Sequence, residues 1–122
     1  MRNKIDIRIK RVYDEPSADD GLRVLIDRLW PRGKSKESAR IDLWWKEAAA
    51  SESLRRWFNH EPAKWEEFRR RYREELLSHP KEIESLLAAA RTSRLTILFG
   101  AKDTNRNNAV VLKDFLEERL AP

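Results

Sequence analysis

At 122 residues with five Trp and four Phe, the chain has the length of one domain and enough large apolar side chains to build a core, so a single domain spanning 1–122 is expected. The absence of cysteine excludes disulfides, thiolate zinc sites and a cysteine nucleophile. A net charge of +5 with a pI near 9.7 favours anionic partners without choosing among nucleic acid, small anions and acidic proteins.

The first six residues hold no apolar run of signal-peptide length. No stretch approaches the roughly 20 apolar residues of a membrane span, so a cytoplasmic location away from membranes is expected. Ile5, Ile7 and Ile9 alternate with Asp6, Arg8 and Lys10, the period-2 pattern of a strand with one buried face, read here as an edge strand. The connector from Asp14 to Gly21 is rich in turn residues. At about eight residues it favours a hairpin unless a shortened crossover replaces the usual helix, which leaves the first strand's orientation open.

Leu22 to Trp30 reads as a second strand with an apolar centre, broken near its end by Asp27 and Arg28. The loop that follows holds Arg28, Arg32, Lys34, Lys36 and Arg40 against the single Glu37, a local positive patch. Asp42 is placed to cap a helix bearing Leu43, Trp44, Trp45 and Ala48, and Ser51 to cap one bearing Leu54, Trp57 and Phe58. Pro62 suits the first turn of the next helix, where Trp65, Phe68, Tyr72 and Leu76 form one stripe. Pro80 opens another with Ile83, Leu86, Leu87 and Ala90. Leu95 to Phe99 reads as a buried strand, and a polar loop from Ala101 to Asn108 leads to a last helix. The order is β-β-α-α-α-β-α, an α/β domain with about three strands and four to five helices.

Two loops carry candidate chemistry. An unpaired charge near the end of an apolar strand is costly to bury, so Asp27 and Arg28 are expected either to pair or to face a crevice. In open α/β sheets ligands bind beyond the carboxyl ends of the strands. Asp27 and Arg28 are therefore the candidate catalytic residues, with Trp30 and Arg32 as ligand contacts; the competing expectation is an internal Asp27–arginine ion pair that pins the loop. The second loop, from Gly100 to Asn108, joins a strand to a helix N-terminus, and Lys102, Asp103 and Asn105 are its candidate ligand contacts. The competing expectation there is ordinary capping by Asp103, Asn105 or Asn107. It lacks the glycines of a P-loop or dinucleotide fingerprint. If the two strands are parallel neighbours, both loops open on one edge and form a single site.

His60 sits at a helix junction and has no metal-ligand spacing to His79, so no metal or cofactor is expected. The run from Arg69 to Arg73 is interleaved with Glu66, Glu67, Glu74 and Glu75 at helical spacing, which reads as a self-neutralised solvated face.

The strings Arg11-Val12-Tyr13-Asp14 and Asp20 to Gly33, above all Asp27-Arg28-Leu29-Trp30-Pro31-Arg32-Gly33, resemble the YeaO-like family of uncharacterised bacterial proteins, the group numbered 488 among domains of unknown function. The likeness continues through Ile41 to Trp44, Leu54 to Phe58, His60, Trp65, Phe68, Tyr72, Glu75-Leu76, Ala101 to Asp103 and Asn107 to Leu112. It implies a small Rossmann-like three-layer α/β fold with a mostly parallel sheet, and no established activity. The family pattern often has Glu and His where this chain has Asn105 and Arg106. Three functions fit these features: binding of a small anionic ligand, phosphate- or nucleotide-like, with turnover left open, at the loops after Trp30 and Phe99; a nucleic-acid accessory role through the basic loop 28–40; and a protein-interaction module, with oligomeric state open.

Overall fold

The computed structural model describes residues 5–121. Among them are four strands, β1 (Ile7–Arg11), β2 (Leu22–Leu25), β3 (Leu43–Trp44) and β4 (Leu95–Phe99), and five helices, α1 (Lys36–Ala39), α2 (Glu52–Phe58), α3 (Trp65–Leu76), α4 (Pro80–Thr92) and α5 (Asn108–Leu120). The strands form one all-parallel sheet in the order β1-β4-β2-β3. The architecture is that of a small Rossmann-like α/β domain.

β4 is buried along its whole length, as its unbroken apolar run requires of a central parallel strand. It pairs with β1 from Ile7↔Leu95 to Arg11↔Phe99 and with β2 from Leu22↔Leu95 to Leu25↔Leu98. β1 lies at the sheet edge, as its alternating pattern suggests. No hairpin joins β1 and β2, because β4 is inserted between them. Residues 12–21 instead make a shortened crossover: at about 3.3 Å per extended residue they can return along the five residues of β1. A 3₁₀ turn over Ala18–Asp20, capped by Ser17, closes this connector.

The two sheet faces are covered differently. Ile7, Val24, Ile26, Leu95, Ile97 and Phe99 face the main core, against Leu54 and Phe58 of α2, Phe68, Tyr72 and Leu76 of α3, Leu86 and Leu87 of α4, and Leu112 and Leu116 of α5. The opposite face, with Leu25 and Leu98, packs on Val12, Ala39 and Ile41. There the covering layer is the crossover and the 28–42 loop with its one-turn helix α1. The crossover is tied down at Asp20, which pairs with Arg23 and Lys10 while its carbonyl accepts the Thr96 hydroxyl at 2.6 Å.

Two expected elements differ. The second strand ends at Leu25 rather than Trp30, and the helix expected after Asp42 is replaced by β3 and a 3₁₀ turn over Lys46–Ala48. Asp42 does not cap a helix; its Oδ2 accepts the Arg23 backbone N–H at 2.8 Å. That bond sets Leu43 and Trp44 opposite Val24 and Leu25, and tertiary pairing overrides local preference.

Candidate functional site

The Ile26 N–H donates to the Leu98 carbonyl at 3.1 Å, extending the ladder one residue past β2. The next residue, Asp27, thus stands at the carboxyl ends of two adjacent parallel strands, where the side chains of one strand and the loop of the other meet. The Gly100 N–H, immediately after β4, donates to Asp27 Oδ2 at 2.6 Å. Asn108, at the start of α5, donates through Nδ2 to Asp27 Oδ1 at 3.0 Å and to the Ile26 carbonyl at 2.6 Å. The Asp27 carbonyl in turn accepts the Trp44 indole N–H at 2.7 Å. The two loops expected to share one edge do meet, and the Asp27 carboxyl is where they join.

Asp27 lines a cavity of about 230 Å³ together with Arg28, Leu29, Ala49, Ala50, Arg55, Phe58, His60, Phe68, Gly100, Ala101, Arg106, Asn107 and Asn108. Burial pushes its carboxyl above the ordinary aspartate value, against the opposing influence of Asn108, Gly100, Arg55 and His60. No ion pair joins Asp27 to an arginine among the described residues, so the expected internal pair is absent. Arg28 turns instead to the Ala50 and Ala49 carbonyls, at 3.2 and 3.4 Å. The preceding residue of that segment is held separately: the buried Tyr72 hydroxyl donates to the Ala48 carbonyl at 2.8 Å.

α2 brings Arg55 to the cavity and ends on two consecutive left-handed residues, Asn59 (φ 47°) and His60 (φ 55°). Asparagine and histidine tolerate that conformation better than most residues, and the turn places His60 at the cavity. The Arg55 guanidinium has no hydrogen-bond or ion-pair partner among the described residues. Arg106 is partly neutralised by Asp103 at 3.3 Å.

Other expected contacts lie elsewhere. Trp30 does not line the cavity: its indole N–H donates to the Lys34 carbonyl at 2.6 Å and its ring meets Trp44 edge-on at 5.2 Å. Arg32, Lys102 and Asn105 are exposed and also lie outside the cavity lining. Asp103 spends its carboxylate within its own loop, accepting the N–H groups of Asn105 and Arg106 at 2.9 and 3.0 Å, which hold its carboxyl below the usual range. Asn107 caps α5 by accepting the Val110 N–H at 3.1 Å. The second loop is therefore a capped turn, and its share in the site comes from Gly100, Arg106 and Asn108.

With this geometry in place, comparison with known proteins gives the relationship. Residues 6–122 match the family described as the inactive DUF488-N3 subclade. The chain belongs to that family. Its relatives include the uncharacterized protein YeaO of Escherichia coli (strain K12), 43% identical over 112 residues, which span 92% of this chain and 97% of that protein. The uncharacterized protein Rv3073c of Mycobacterium tuberculosis (strain ATCC 25618 / H37Rv) is 38% identical over 119 residues, covering 98% of this chain and 100% of that protein. No solved structure matches the chain significantly. In this DUF488-N3 chain no described helix is long and apolar enough to cross a membrane.

Arg55 and Asn108, which are not among the candidate contacts read from the sequence, lie far from Asp27 along the chain. Asn107-Asn108 carried a signal: one asparagine suffices to cap a helix, so the second was free for another task.

Proposed function

We propose that this protein binds a small phosphate-like anion in the Asp27 cavity, without turning it over. The observation that carries the reading is the Arg55 guanidinium, which makes no hydrogen bond or ion pair among the described residues and lines the same cavity as Asp27, Arg28 and His60. A free guanidinium fork is well shaped for phosphate oxygens, and Arg28 and Arg106 add positive potential. Binding without turnover is supported by the fixed state of Asp27, whose hydrogen bonds come from a backbone amide and a carboxamide, groups that do not shuttle protons as a catalytic base requires. The description of the family as an inactive subclade agrees with this.

Thermal-shift titration tests it. Inorganic phosphate in the millimolar range should raise the melting temperature of the wild type through preferential binding to the folded state. Arg55→Ala should abolish the rise. Arg56→Ala, whose guanidinium is paired with Glu52 outside the cavity, should keep it. Equal stabilisation of wild type and Arg55→Ala would remove the cavity from consideration.

A further inference from the structure

Asp27 lines the same cavity as Arg55, and an anion alone would gain nothing from its carboxylate. A carboxylate offers about four acceptor positions. Here Oδ2 takes one donor, from Gly100, and Oδ1 takes one, from Asn108. Each oxygen keeps an open acceptor position, and no cation fills either one among the described residues. Paired open acceptors on a single carboxylate fit two neighbouring hydroxyl donors, and a rigidly held carboxylate selects them without rearranging. Phe58 and Phe68 supply an apolar wall for the carbon face of such a ligand.

The cavity sets the size. At about 230 Å³ it lies below the roughly 300–1,000 Å³ typical of sites for drug-sized ligands, which suits a phosphorylated sugar or polyol of about five carbons. Building on the proposed anion site, we infer that the ligand is a small polyol phosphate, its phosphate held by Arg55 and a pair of adjacent hydroxyls donated to the Asp27 carboxylate.

Calorimetric titration of the full chain with ribose 5-phosphate and with n-pentyl phosphate, which has the same carbon count and no hydroxyls, separates the two readings. The wild type should bind ribose 5-phosphate at least tenfold more tightly. Asp27→Asn, which replaces one acceptor oxygen by a donor, should erase that preference, bringing its affinities for the two phosphates within threefold of each other. Equal affinity of the wild type for the two phosphates would overturn the polyol assignment and leave the anion site standing. Failure of both, and of inorganic phosphate, to bind would overturn the anion site as well. Should Asp27→Asn lose its native circular dichroism, the wild-type comparison decides alone, because the missing hydroxyls are then on the ligand rather than the protein.

Discussion

The Gly100 N–H and the Asp27 carboxylate, 73 positions apart in the chain, meet at 2.6 Å across the ends of β4 and β2. That bond makes Gly100 sensitive to a single methyl group. A Cβ at position 100 would stand 3.0 Å from Asp27 Oδ2, tighter than ordinary van der Waals contact, so one of the two must give by a few tenths of an ångström. Because the Arg11 guanidinium also holds the Gly100 and Ala101 carbonyls, at 3.3 and 3.0 Å, the loop has little room to retreat. Gly100→Ala should lower stability by about 1 kcal/mol, at the small end for overpacking, and should weaken phosphate binding more than that loss explains. Urea midpoints and thermal-shift titrations read the two effects separately; unchanged phosphate binding would show that the Asp27 position does not shape the site.

How much of this was legible in the sequence depends on range. The alternation of Ile5, Ile7 and Ile9, the apolar run from Leu95 to Phe99 and the stripe of Phe68, Tyr72 and Leu76 are local patterns that burial alone enforces, and the elements they predict are present. The Ser51 cap likewise needs only its own turn, the Leu54 N–H lying 3.2 Å away. The helix expected through Trp44 does not form because Asp42 accepts the Arg23 backbone N–H instead of capping it. Trp30 departs from expectation because an aromatic beside a basic loop looks the same in sequence whether it faces a ligand or, as here, another tryptophan on the far side of the sheet. The meeting of the two loops followed from parallel pairing of β2 with β4, whereas the presence of Arg55 at the cavity depends on how α2 packs, which no local pattern encodes.

The half-buried Asp27 carboxyl should make its mark on the acid dependence of stability. Its value is raised by burial, so the folded state holds this proton more tightly than the unfolded chain, whose value is near 3.8. The corresponding stabilisation is complete below the unfolded value and is lost as pH rises through the folded one. Asp6, Asp20, Glu67, Asp103 and Glu118 are shifted the other way and lose their contribution as pH falls, in the wild type and in Asp27→Asn alike. The stability of the wild type relative to Asp27→Asn should therefore decline from pH 4 toward neutrality. A difference that widens with rising pH in urea unfolding would contradict the assignment.

On the other face of the sheet, Arg23 is 3% exposed and Asp20 5% exposed, and their ion pair holds the crossover to the 28–42 loop. Arg23 Nε and Nη2 also donate to the Arg40 and Ala39 carbonyls at 3.0 and 2.7 Å. Arg23→Ala would leave a buried carboxylate with Lys10 as its remaining cation and two carbonyls without these donors. A loss of about 3 kcal/mol is expected, the scale for breaking a buried pair from one side. Arg23→Met, which fills the volume but supplies no charge, should be nearly as damaging, because the orphaned Asp20 rather than a cavity sets the cost. Recovery of wild-type stability by the methionine variant would point to packing instead.

The crossover itself depends on Gly21. Its φ of +66° lies in the left-handed region, and a Cβ there would sit 2.3 Å from the Arg94 carbonyl oxygen, a backbone atom at the start of β4. The Leu22 N–H donates to that same carbonyl at 2.9 Å, so relieving the clash breaks the first bond between the crossover's end and the central strand. Backbone conformation and contact oppose a side chain together, and Gly21→Ala should cost about 3 kcal/mol or more. The damage should spread beyond its own turn, because Asp20 and Arg23 flank it. Hydrogen exchange in the variant should accelerate at Leu22 and Val24 of β2 and at the β4 amides that pair with them, while the α3 amides, packed on the other face, open only with global unfolding. Exchange confined to residues 17–21 would mean that the crossover is a passive loop rather than the clamp that sets β2 beside β4.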